Sequence, residues 1–136
     1  LIRIFGAAGY ARYDESSATR LRSMSQLLID EHSADPRTLR ADAPKSLQTF
    51  EGVGPACATM FAREAQGVWP ELAPVFDKKA LQGATKLGLP QDPDALAKLV
   101  GGAASDTTGA PEIPADALVD LPTFAAYLVK VALGID

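Results

Sequence analysis

One cysteine and one histidine in 136 residues close off several familiar chemistries. Cys57 alone can form no disulfide within the chain and cannot hold an all-cysteine cluster. His32 stands without any zinc-ligand spacing or Ser/His/Asp set, and it falls near a helix C-terminus, where its charged form would favour the helix dipole. No phosphate-binding loop is present. No metal site is expected. No apolar run reaches the length of a membrane span, and no signal-peptide pattern opens the chain, so no membrane partner is expected. The lone cysteine fits a reducing compartment, and a cytoplasmic location is expected. A basic excess is missing too. The net charge of −4 argues against a protein that coats nucleic acid through bulk charge alone.

The charge is unevenly spread, however. Residues 1–63 carry eight Lys/Arg against seven Asp/Glu, whereas residues 64–136 carry five against ten. A binding surface on the first half would therefore repel an anion less than the total implies; a merely solvated, slightly acidic surface is the plain alternative. Apolar residues make up 47%, ordinary for a folded protein, and the length suits one domain, 1–136. The first residue is Leu1 and not Met, so a fragment or processed form is expected, with helices missing upstream.

Helix patterns recur along the chain and no strand pattern does, which predicts an all-α fold, an irregular helical bundle. Asp14-Glu15-Ser16-Ser17 supplies caps for a helix to about His32, with Leu21, Met24 and Leu28 on one face. Asp35-Pro36 reads as a breaker. Asp42-Ala43-Pro44-Lys45 starts a short helix ending at Phe50, and Pro55 starts the next, to about Gly67. Asp77, Asp92 and Asp120 each precede an apolar helical pattern, the first with Leu81, Ala84 and Leu87 and the last with Phe124, Leu128 and Val131. The second carries Leu96, Leu99 and Val100 and ends at Gly101-Gly102, and Gly134 closes the last. Residues 101–116 read as a flexible loop.

The strongest local signal is a hairpin over residues 45–67. Leu47 and Phe50 sit three apart on its first helix, Val53 tucks into the turn, and Ala58 and Phe61 face back from the second helix. The small Ala58 lets the two helices approach closely. Gly52 and Gly54 permit positive φ and leave backbone N–H groups bare of side chains. At the positive end of the second helix such groups form a phosphate site that grips a strand without reading bases. The alternative is an ordinary αα-turn whose glycines only satisfy geometry.

On these residues the chain resembles the helix-hairpin-helix DNA glycosylase superfamily of the endonuclease III kind. Leu47-Gln48-Thr49-Phe50-Glu51-Gly52-Val53-Gly54 is similar to the family's hairpin, and Leu21–Pro36 to the helix before it. Pro74-Val75-Phe76-Asp77 with Lys86-Leu87-Gly88-Leu89 resembles its aspartate-bearing helix start and Leu-Gly-Leu ending. Gly9-Tyr10-Ala11-Arg12-Tyr13-Asp14-Glu15 and Gly67-Val68-Trp69-Pro70-Glu71 look like a group of short bacterial relatives. The likeness spans residues 9–100 and extends loosely into the tail.

The resemblance implies double-stranded DNA as partner and base excision as activity. It assigns backbone contacts to Gly52, Val53, Gly54 and Ala56, with Lys45 beside them, and catalysis to Asp77. A carboxylate beside C1′ of a flipped-out nucleotide stabilises the positive charge that develops as the N-glycosidic bond breaks, and can direct an attacking water. Asp77 is equally the natural N-cap of its helix. Ala56 stands where strand-cutting members carry a lysine, so Schiff-base lyase chemistry is not expected and a monofunctional enzyme is implied. No iron–sulfur cluster or other cofactor is implied beyond, at most, a monovalent cation at the hairpin. Lys78-Lys79 departs from the small polar residues usual after the aspartate, and the family's upstream helices have no counterpart before Leu1.

Tyr10, Tyr13 and Trp69 are candidates for stacking on a base or sugar, against the commoner role of packing. Lys45, Arg63, Lys78 and Lys79 are candidates for phosphate contact, against plain surface; Cys57 is expected in the core. Two further readings stand beside the glycosylase: a non-catalytic DNA-binding module that keeps the hairpin, and a helical protein-interaction domain.

Overall fold

The computed structural model describes residues 1–101 and 113–135. The chain is all-α: seven α-helices joined by 3-10 turns, with no strand among the described residues. The helices are α1 (Ile2–Ala7), α2 (Asp14–His32), α3 (Ala43–Leu47), α4 (Pro55–Ala65), α5 (Lys78–Lys86), α6 (Pro93–Ala97) and α7 (Leu121–Leu133). None of the described helices is long and apolar enough to cross a membrane. The residues group into two compact units, Leu1–Ala58 and Thr59–Asp136.

In the first unit α1 packs on α2, and a 3-10 helix over Pro36–Asp42 packs on both α2 and α3. Its buried side chains are few: Ala18, Leu39, Ala43, Phe50 and Ala58. α2 ends at His32 as expected, but its N-cap is Tyr13, with no side-chain cap bond, and Asp14 already lies in the first turn. Leu21 is exposed, and Ala18 is what the helix buries. Leu21 lies three positions from Ala18, at the margin of a narrow apolar face. Asp35-Pro36 does not simply break the chain. The Asp35 carboxylate accepts from the Arg37 N–H at 2.9 Å and so opens the 3-10 helix, a local cap that competes with an irregular loop. Hydrogen bonds from the Arg37 side chain hold the Asp35 carboxyl down at about 2. α3 ends at Leu47 and not at Phe50, because Gln48, Thr49 and Phe50 donate three residues back, to Lys45, Ser46 and Leu47, in successive turns.

The second unit holds the larger core: Phe76, Ala80, Ala84, Leu96, Phe124, Ala125 and Leu128. Phe76 and Phe124 meet edge to face, with ring centroids 5.9 Å apart. The expected caps of its helices are in place. Asp77, Asp92 and Asp120 accept from the N–H of Ala80, Ala95 and Thr123 at 2.8, 3.1 and 2.8 Å. The Thr123 amide holds the Asp120 carboxyl below the usual range. That contribution is present above the ordinary carboxylate pKa and lost as pH falls through the lowered value. Gly134 closes α7 at φ +69°, and Lys86 donates across to the Ala132 carbonyl at 2.8 Å, satisfying the last turn. Of the expected 101–116 loop, residues 102–112 lie outside the described residues, and Ala115–Leu118 forms a 3-10 helix.

α5 and α7 pack along their small residues, and Gly83 is the point of closest approach. A Cβ there would lie 2.6 Å from the Leu128 carbonyl carbon, which is backbone and cannot step aside. Alanine would otherwise gain about 1 kcal/mol of helix propensity over glycine. Overpacking against fixed backbone costs about 3 kcal/mol, so the clash wins. Gly83→Ala is therefore expected to lower the urea midpoint by the equivalent of about 2 kcal/mol; an unchanged or raised midpoint would show that the two helices do not meet here.

Candidate functional site

The turn between α3 and α4 has Val53 donating to the Phe50 carbonyl at 3.1 Å. Gly52 takes φ +84°, a conformation that costs other residues about 1–2 kcal/mol. Gly54 does not use that freedom: its φ is not positive, and a side chain there would meet nothing within 4 Å. Its value is bareness in front of α4. Ala58 donates to the Gly54 carbonyl at 3.0 Å, the first helical bond of α4. Pro55 has no N–H, and the N–H groups of Gly54, Ala56 and Cys57 donate to no described residue. These three exposed amides point the positive end of an 11-residue helix at solvent.

The neighbours of the turn partly differ from expectation. Ala58 is buried as expected, but Cys57 is exposed, on the solvent side of the first turn of α4. Phe61 is 40% exposed and packs at a tilt on Trp69 with centroids 5.5 Å apart, so it partly covers the half-buried indole. Lys45 is exposed on α3. His32 accepts or donates at 2.9 Å with the Thr38 hydroxyl and stacks on Phe50 at 6.2 Å, which orders the segment leading into the turn. Tyr10 and Tyr13 are half exposed and neighbour one another at 6.4 Å, with Phe5 against Tyr10 and the Arg12 guanidinium 5.2 Å above the Tyr13 ring. They form an aromatic cluster of the first unit. The turn and the tyrosines belong to the first unit, Asp77 and Trp69 to the second.

Asp77 is placed by two elements. As N-cap of α5 it spends Oδ1 on the Ala80 N–H, and its Oδ2 accepts from Arg63 of α4 at 2.6 Å. The pair is nearly sealed, with the Arg63 side chain 14% and that of Asp77 10% exposed. Arg63 also binds the exposed Glu64 at 2.9 Å. It is thus an ion-pair partner and not a cation available to phosphate. Beside it the buried Gln66 amide donates to the Val75 carbonyl and accepts from the Val75 N–H, both at 2.8 Å, and donates to the Arg63 carbonyl. Gln66 thereby holds the Pro74–Phe76 segment near the end of α4 and delivers Asp77 to Arg63. No signal of sequence spacing pairs Arg63 or Gln66 with residues 75–77; only the fold does. Among the described residues no group of three His, Cys, Asp or Glu is placed to hold a metal.

No family model, curated protein or solved structure matches this chain.

Asp77→Ala removes a cap and a shielded ion-pair partner together. The remaining Glu64 contact keeps Arg63 from being left without a counter-charge, which holds the expected loss to about 3 kcal/mol, the low end for a broken buried pair. Asp77→Asn keeps an oxygen for the cap and is expected to lose less than half of that. Urea unfolding checks both; equal, small losses would remove the pair from the account.

Proposed function

We propose that this chain binds the backbone of double-stranded DNA through the Gly52–Ala56 turn, as a helix-hairpin-helix protein of the monofunctional base-excision glycosylase kind. The observation that carries the reading is the start of α4, where the exposed Gly54, Ala56 and Cys57 amides are unsatisfied and no side chain at Gly54 screens them. Phosphate oxygens satisfy such donors and the helix dipole together. The contact carries no base information, so it positions the chain and leaves recognition of a damaged base to other groups.

Asp77 is the carboxylate of the excision step. Two of its roughly four acceptor positions are occupied, and the two bonds fix its orientation. A preoriented carboxylate stabilises a developing oxocarbenium charge without reorganising. The second reading, a DNA-binding module without excision, is favoured by one specific observation: Asp77 is only 8% exposed.

Both readings are tested by incubating the protein with end-labelled duplexes carrying uracil, alkylated, oxidised or mismatched bases, followed by hot alkali. Alkali-dependent breaks at one class of base, abolished in Asp77→Asn, are expected for the enzyme. Silence across the panel with salt-sensitive duplex binding intact gives the module. Binding that is absent, or indifferent to salt, contradicts both and leaves a protein-interaction domain.

A further inference from the structure

The turn has a neighbour that its own sequence does not announce. Arg20, on the exposed side of α2, lays its side chain over Gly52: a Cβ built on that glycine would lie 2.8 Å from Arg20 Nε, 3.0 Å from Cδ and 3.3 Å from Cζ. Gly52 therefore meets two demands at once, the positive φ of the turn and room for a guanidinium. What the guanidinium lacks is a partner. Arg37 and Arg63 each hold a carboxylate within 3 Å, whereas Arg20 makes no hydrogen bond or ion pair with any described residue. The adjacent acid, Glu51, is exposed and forms no ion pair with it. A long cation lying beside bare backbone, with its in-plane fork of donors unspent, suits an external anion.

We infer that Arg20 is a phosphate-binding residue of the proposed DNA contact, its guanidinium gripping a phosphodiester of the strand seated on the Gly52–Ala56 turn. The inference rests on the DNA-binding reading above and adds to it a residue from a different helix, 32 positions upstream of Gly52. It also explains how a chain of net charge −4 meets a polyanion, since the cation is local and unneutralised.

The test is a titration of a short, undamaged, fluorescently labelled duplex with the whole chain at salt between about 50 and about 200 mM. Each phosphate contact contributes about 0.9 to the slope of log affinity against log salt, which is about eightfold in affinity at 0.1 M. Arg20→Gln is expected to weaken binding about eightfold there and to lower the slope by about 1. Arg20→Lys, which keeps the charge and loses the fork, is expected to keep the slope and weaken binding less. Lys98→Gln, an equal change of charge on an exposed lysine of the second unit, is expected to alter neither. Arg20→Gln with wild-type affinity and slope overturns this inference alone, as does an equal loss in Lys98→Gln. A wild-type chain that binds no duplex in a salt-dependent way overturns it together with the reading on which it rests.

Discussion

Much of the second unit depends on the two hydrogen bonds accepted by Asp77. Through Oδ1 the carboxylate ends the unsatisfied first turn of α5, and through Oδ2 it ties that turn to Arg63 of α4. α5 then carries Ala80, Gly83 and Ala84 into α7 at a distance only glycine allows. Gln66, just past the end of α4 and three residues after Arg63, fixes the approach of residues 74–76 by bonds to the Val75 backbone. Polar contacts set the register here and small apolar side chains fill it. A fully satisfied polar set of this kind specifies one arrangement where apolar packing alone would tolerate several.

That arrangement bears on chemistry as well as on folding. A carboxylate locked by a cap and an ion pair is well oriented but little exposed, and the two properties pull in opposite directions for catalysis. The turn before α4 shows the reverse balance. Its donors are open and donate to no described residue, and a side chain at Gly54 would meet nothing within 4 Å. The turn is accessible and the carboxylate is sealed, and the two belong to different units of the chain.

Local rules made some of this legible in advance. Asp77, Asp92 and Asp120 stand before apolar helical patterns, and all three cap. The C-terminal end of α2 and the glycine stop of α7 follow equally local signals, whereas the start of α2 at Tyr13 uses none of the side chains that offered to cap it. The failures have a common cause. Cys57 and Phe61 look like core residues by type, but which face of α4 is buried is decided by distant segments, and these leave both exposed. α1 went unread because Ile2–Ala7 has neither a capping side chain nor enough length to show a period. Arg63 pairs with Asp77 across 14 residues, and Arg20 reaches Gly52 across 32; no spacing in the chain encodes either meeting. The glycine pair before α4 was visible in the sequence, but only the backbone tells Gly52, which needs its positive φ, from Gly54, which does not.

The most direct test of the central claim, that the turn before α4 holds a DNA phosphate, is to follow backbone amide resonances while a short undamaged duplex is added. The account predicts that the Gly52, Val53, Gly54, Ala56 and Cys57 amides shift first and furthest, and that the shifts reverse as salt is raised. Saturating duplex that leaves these five amides in place, while others move or none do, would contradict it.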